Sequence, residues 1–206
     1  MTTLTFSDFV DTSKPSFWLS LASITFNPTF WNIVARNEYH NHTITRFFGS
    51  ARTGTYVLAL AIFFLGLLRD SLYTSALNDQ PRVPLLPSEY AVRVPAVLFV
   101  VGQTLVITST WALGITGTFL GDYFGILLDS KVEGFPFSVV RDPMYTGSTL
   151  CFFAGALWYE RPAGLIISLY VHIVYTIALK FEGPFTDMIY RNRATSSKNT
   201  TAKKDL

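Results

Sequence analysis

The chain has 206 residues, enough for one ordinary domain. Half of it is hydrophobic and only 15% is charged, against roughly 25% in a typical soluble domain; the net charge of +2 offers no basic surface for nucleic acid. A lone cysteine, Cys151, excludes an internal disulfide, and no Cys/His cluster is spaced to hold zinc, so no metal is expected. Aromatic residues reach 16%, an excess that suits a lipid-facing surface with interfacial belts.

Taken in chain order, the first window free of Asp, Glu, Lys and Arg is Pro15–Ala35. Asn27-Pro28 lies at its centre, with Trp18 and Trp31 toward its ends. Proline interrupts the helix ladder and tryptophan favours the membrane interface. The window therefore predicts a re-entrant or interfacial helix pair. Asp8 and Asp11 precede it and no basic leader does, which argues against a signal peptide. His40 and His42, near Glu38, read as interfacial polar residues rather than metal ligands. Asn41 opens an NHT glycosylation sequon, usable only on a lumenal loop.

Thr53–Leu68 is short but very apolar. Extension back to Phe47 gives it the length of a span, with Arg52 free to snorkel. Val94–Gly121 is long enough to cross outright. Pro143–Tyr159 and Pro162–Leu179 flank Glu160-Arg161-Pro162, a charged turn. They predict a helical hairpin that brings RDPMYTG and KFEGPF to one face of the membrane. One long kinked helix, with the motifs on opposite faces, is the competing arrangement. His172 lies in the last apolar run, as a buried imidazole or a functional one. The fold class is all-α: a polytopic integral membrane protein with about three or four spanning helices. A soluble helical protein is the alternative.

Past Glu182, Arg191, Arg193, Lys198, Lys203 and Lys204 outweigh Asp187 and Asp205, which places that end in the cytosol. The final KKDL resembles the dilysine retrieval signal of endoplasmic reticulum membrane proteins. Residues 1–191 are expected to form a single membrane-embedded domain and 192–206 a flexible basic cytosolic tail. The expected location is the endoplasmic reticulum membrane, with a mitochondrial membrane as a second residence.

The segment GDYFGILLDSKVEGFPFSVVRDPMYTGST, Gly121 to Thr149, packs charge, glycine and proline between apolar runs. There is no Walker loop, HExxH or Ser-His-Asp order. The polar groups at the membrane boundary are Asp122, Arg141, Asp142 and Glu182, beside Tyr123, Phe124, Tyr145 and Phe185. Charged groups so placed are costly and mark a functional site by default.

These residues carry a resemblance. GITGTFLGDYFGILLDSKVEGFPFSVVRDPMYTGSTL, followed by ALKFEGPFTDMIY and preceded by FNPTFWNIVARNEYHNHTITRFFG, resembles the phospholipid N-methyltransferases. In length and single-domain layout the chain looks most like their fungal branch, which carries out the later two methylations. The resemblance spans roughly residues 25–191. It implies transfer of methyl groups from S-adenosylmethionine to the amine of phosphatidylethanolamine and its methylated forms, on the way to phosphatidylcholine. A phospholipid in the bilayer is the implied partner.

The family pattern has a GxG in the third apolar segment. Here Val100, Val101 and Gly102 stand in its place, so only the second glycine survives. A Glu-Glu pair is here Glu182-Gly183. The resemblance makes Val101, Gly102, Glu182 and Gly183 cofactor-binding residues. Gly102 reads equally as a helix-packing glycine. Glu182 suits the donor's ammonium, or else pairs with Lys180 or water. Arg141 suits the donor's carboxylate or a lipid phosphate, or else snorkels. The faces of Tyr123, Phe124 or Tyr145 suit a sulfonium or methylated amine, or simply pack. Asp122, helped by Tyr145, is the candidate catalytic base for the lipid amine; otherwise it braces the loop. A straight third segment would hold Gly102 and Asp122 too far apart to share one small ligand.

The rival from another class is a non-catalytic membrane-shaping or lipid-binding protein descended from such an enzyme, favoured by the two half-kept motifs. A methyltransferase acting on prenylated cysteine has a similar RDPMY-hairpin-Glu layout. A transporter is disfavoured because internal repeats are lacking.

Overall fold

A computed structural model describes residues 5–130 and 132–204, with side chains described as far as Arg193 and at Thr195. The six α-helices are α1 (Pro15–Asn41), α2 (Thr43–Phe48), α3 (Ala51–Asp79), α4 (Arg93–Thr118), α5 (Pro143–Trp158) and α6 (Pro162–Lys204). Short 3-10 turns lie at Phe6–Asp8 and Gly121–Phe124. Among the described residues there is no strand. Among the described residues three helices, α3, α4 and α6, are long and apolar enough to cross a membrane. This is the all-α, polytopic membrane architecture that the charge-free windows predict.

The predicted break at Asn27-Pro28 does not occur. α1 is one helix of 27 residues with Pro28 inside it. Proline frees one carbonyl from the ladder, and transmembrane helices tolerate this where neighbours re-satisfy the backbone. Both Asn27 and Pro28 are buried. The Asn27 amide donates to the carbonyl of Leu65 on α3 at 3.1 Å, and the Asn32 amide donates to that of Pro28 at 2.9 Å. Packing on α3 and α6 holds α1 together across the proline.

α5 and α6 form the predicted hairpin. Its turn is tied to the end of α3: Arg82 reaches Glu160 through Nε at 2.8 Å and Nη2 at 2.7 Å. Arg161 donates to the carbonyl of Gln80. Gln80 also clasps the N-terminal segment, accepting from the Asp11 amide at 2.7 Å and donating to its carbonyl at 2.8 Å. The core above this turn joins Ile24 of α1, Leu77 and Tyr73 of α3, Phe152 of α5 and Ile167 and Val171 of α6. Burial of such side chains contributes about 1.5–3 kcal/mol each.

α4 packs along α5. It is not straight: Gly114 takes φ 65°, ψ 178° inside it. The chain bends there, and the 3-10 turn at Gly121–Phe124 folds back against α1, α3 and α6. A second core forms at this end from Ala35, Leu58, Tyr123, Phe124 and Ile189. Glu38 is fully buried beside it and accepts from the amides of Ile44 at 2.6 Å and Thr45 at 3.1 Å. It thereby satisfies two of the orphan donors at the start of α2.

α6 continues as helix to Lys204. No change of secondary structure therefore sets apart residues 192–204 of the segment expected as a flexible tail. Within the KKDL signal the side chains lie outside the described residues. His172 is not buried: it faces outward from α6, opposite the core side that carries Val171 and Tyr175.

Candidate active site

A cavity of about 1160 Å³ opens between α3, α4, α5, α6 and the bend after α4. Its walls include Asp122, Arg141, Tyr145, Glu182 and Gly183. The hairpin makes this possible. Residues near the start of α5 and those about halfway along α6 meet because both helices run up from one turn.

Glu182 organises the site. Its Oε2 accepts from the hydroxyl of Tyr145 at 2.6 Å. Its Oε1 accepts from the indole Nε1 of Trp31 at 2.6 Å and from the amide of Asn32 at 2.8 Å. Three neutral donors from two other helices thus fix one carboxylate on the cavity wall. Among the described residues, none of the ion pairs involves Glu182. Lys180 is exposed and makes no such pair. A carboxylate oxygen accepts more than one hydrogen bond, so Oε2 keeps room for a further donor. The geometry offers an oriented negative charge with no cation of its own.

Asp122 sits one helical turn farther along α6, where Thr186 donates to its Oδ2 at 3.1 Å. Two carboxylates therefore face the same end of the cavity. Arg141 lies at its edge with a side chain 94% exposed, 3.9 Å from Asp142. Gly183 also lines the cavity, and nothing lies within 4 Å of where its Cβ would be. A side chain at this position would start into open space.

Tyr123 and Phe124 are not at the site. Both are buried in the core: Tyr123 stacks on Phe185 with centroids 5.0 Å apart and planes 6° apart, and Phe124 packs against Gly54. Of the aromatics proposed for a cationic ligand, Tyr145 alone reaches the cavity wall.

Gly102 is buried between α4 and α5. A Cβ there would come within 2.6 Å of the Gly147 carbonyl oxygen and 2.8 Å of Cys151 Sγ. Val101 is on the outside, 45% exposed. Neither lines the cavity, whereas Val100 and Gln103 do. The bend at Gly114 carries Asp122 to the cavity wall, so the cavity is lined from both ends of α4.

Trp31 and Asn32 escaped the sequence reading. They lie about 150 residues from Glu182, with separations of 151 and 150. The one signal was a Trp-Asn pair inside the FNPTFWN stretch. Arg69 and Asp70, just past the charge-free window Thr53–Leu68, also line the wall.

The phospholipid methyltransferase family profile matches residues 90–193. The chain is 52% identical over 190 residues to the phosphatidyl-N-methylethanolamine N-methyltransferase of Saccharomyces cerevisiae, covering 92% of each chain. It is 54% identical to the protein of that name from Neurospora crassa, over 97% of this chain and 94% of the other. With the phosphatidylethanolamine N-methyltransferase of Rattus norvegicus it shares 45% identity, over 91% and 94% of the two chains. No solved structure matches the chain significantly. Aligned over nearly its whole length with proteins of one kind, the chain belongs to the phospholipid methyltransferase family.

Proposed function

We propose that this membrane protein methylates the amine of phospholipid head groups, taking phosphatidyl-N-methylethanolamine through its dimethyl form to phosphatidylcholine, with S-adenosylmethionine as methyl donor. The observation that carries this reading is Glu182. It is a carboxylate held by Tyr145, Trp31 and Asn32 on a cavity wall, without a cation of its own. Such a group accepts a charge-assisted hydrogen bond from an ammonium. The donor's amino-acid end supplies one, and the cavity has the volume for both substrates.

When bound, S-adenosylmethionine supplies a sulfonium methyl: the C–N bond forms as the C–S bond breaks, and that electron pair stays on sulfur. The residues of this chain hold and orient. Glu182 anchors the cationic end of the donor, and the open space beside Gly183 lets the ligand backbone approach. Tyr145, fixed by its bond to Glu182, presents a ring to positive charge. Arg141 stands at the rim, where the donor's carboxylate can reach it. Asp122, with Thr186 on one oxygen, uses the other to accept the proton that the lipid amine loses on becoming a nucleophile. Alignment of nitrogen, methyl and sulfur supplies the larger part of the rate.

The donor is water-soluble, so the Glu182 end of the cavity faces the cytosol, in agreement with the basic residues past Glu182. The endoplasmic reticulum membrane follows from the dilysine ending, with a mitochondrial membrane as second site. A non-catalytic role has no specific observation in its favour, because the site carboxylates converge.

The test is methyl transfer in membranes from cells that lack phospholipid methylation. Labelled S-adenosylmethionine is supplied with phosphatidylethanolamine or its monomethyl or dimethyl form. Label is expected in the monomethyl and dimethyl lipids, and is lost in Glu182→Gln. Absence of label in every lipid, from folded and inserted protein, would overturn the assignment.

A further inference from the structure

A second charged group faces the same cavity, away from Glu182. Arg69 lies within α3, one of the three helices able to cross the membrane. Its side chain is only 14% exposed. The guanidinium Nε and Nη2 donate to Asp70 Oδ1 at 2.9 Å and 2.8 Å, and Nη1 donates to the hydroxyl of Tyr175. Its plane lies over the ring of Phe152, 5.1 Å from the centroid. An arginine has five N–H donors, so these bonds leave two uncommitted. An ionised arginine at this depth is costly on an isolated helix. It is kept where it lines a cavity, and it is the side chain that best matches the oxygens of a phosphate.

The wall beside Arg69 is apolar and open. On α3, Phe63 is 53% and Leu67 51% exposed; on α4, Phe99 is 52% and Val100 62% exposed. All four line the cavity. Between them Gly66 has nothing within 4 Å of where a Cβ would stand. α3 and α4 barely touch compared with α4 and α5. The cavity is therefore open sideways between these two helices, both of which are long and apolar enough to cross a membrane. A water-soluble donor has no use for such an opening. A phospholipid needs it, since its head group must reach the site while its tails remain in the bilayer.

We propose that the groove between α3 and α4 seats the phospholipid, and that Arg69 binds its phosphodiester through the two free donors. This rests on the reading of the protein as a phospholipid methyltransferase. Tyr145 and Tyr175 are in edge contact, 4.9 Å between centroids. Through them the phosphate seat at Arg69 adjoins the Glu182 site, so a head group anchored at one reaches toward the other. Arg141 does not serve this role, because it stands at the rim, almost wholly exposed. Arg69 is a substrate-binding residue that apolar-window reading treats as the end of a helix.

The test uses the full-length protein in mixed micelles, with Arg69→Gln, Arg69→Lys and Gly66→Leu. In Arg69→Gln the KM for phosphatidyl-N-methylethanolamine rises about tenfold or more, as expected for a lost hydrogen bond to a charged group. The donor KM stays within about twofold, and Arg69→Lys recovers part of the loss. Gly66→Leu, whose Cβ has no atom within 4 Å, raises the lipid KM alone by filling the groove. Binding supplies a readout independent of methylation: the unaltered protein retains phosphatidic acid in preference to diacylglycerol, and Arg69→Gln loses that preference. If Arg69→Gln does not fold, an unchanged lipid KM in Gly66→Leu overturns the groove. A rise in donor KM instead of lipid KM overturns the phosphate assignment in favour of the donor's carboxylate. An unchanged preference for phosphatidic acid overturns it outright. Failure of the unaltered protein to methylate any lipid, with that preference present, removes the enzyme reading and leaves the phosphate seat standing.

Discussion

Gly102 on α4 and Gly147 on α5 meet backbone to backbone. A Cβ on the first would lie 2.6 Å from the carbonyl oxygen of the second, and the reverse distance is 2.5 Å. Small residues let helices approach this closely in membranes, where packing rather than hydrophobic exclusion drives association. The surviving glycine of the family's GxG is thus needed by the α4–α5 contact whether or not a ligand is bound.

Gly102→Ala should accordingly act on stability. Overpacking costs about 1–3 kcal/mol, and backbone carbonyls cannot swing aside. The melting temperature in detergent falls, and the folded fraction keeps its donor KM. A raised donor KM at unchanged melting temperature would instead return Gly102 to the cofactor site. Val100→Gly, at an exposed position, restores the full motif at a cost of about 1 kcal/mol of helix propensity and does not improve donor binding.

The donors to Glu182 are testable one by one. Trp31→Phe keeps the ring and loses the N–H at 2.6 Å; Asn32→Ala removes the amide at 2.8 Å. Each leaves the carboxylate less firmly oriented, and the donor KM rises roughly five- to tenfold. Initial rates against donor concentration, at saturating lipid, measure it. Lipid KM should not move.

Glu38 has a structural role, and its loss should be structural too. Glu38→Ala strips two amides at the start of α2 of their acceptor. The expected cost is about 1–3 kcal/mol, the penalty for a buried unsatisfied group. Thermal unfolding reads it, while KM values of the surviving enzyme remain as they were.

Gly183→Glu restores the family's paired glutamates. No atom lies within 4 Å of the new Cβ, so the protein folds with stability within about 0.5 kcal/mol of the original. The added carboxylate lies beside the cavity and tightens donor binding. A folding defect would contradict the open space described there.

Much of the fold is legible because hydropathy is summed over many residues. Each charge-free window begins within two residues of the start of a helix, and the charged Glu160-Arg161 turn marks the hairpin. Boundaries fail where a charge or a proline is accommodated inside a helix. Arg69 and Asp70 look like the end of a span, yet α3 runs on to Asp79 because their charges pair and face a cavity. Pro28 looks like a break, yet side-chain amides from Asn27 and Asn32 hold the helix across it. Within the site, Asp122, Tyr145 and Glu182 stand out as polar residues in an apolar chain. Trp31 and Asn32 do not, because only the tertiary fold brings α1 to α6. Gly102 shows the reverse: a motif glycine whose neighbours in space, not in sequence, decide what it does.

The central claim is that Glu182 anchors the methyl donor. It is tested most directly by equilibrium binding of labelled S-adenosylmethionine to the purified protein and to Glu182→Gln, with melting temperatures measured beside them. Saturable binding to the unaltered protein is predicted, weakened about tenfold or more in Glu182→Gln with little change in melting temperature. Equal affinity in two equally stable proteins would contradict the account, and would place the donor elsewhere in the cavity.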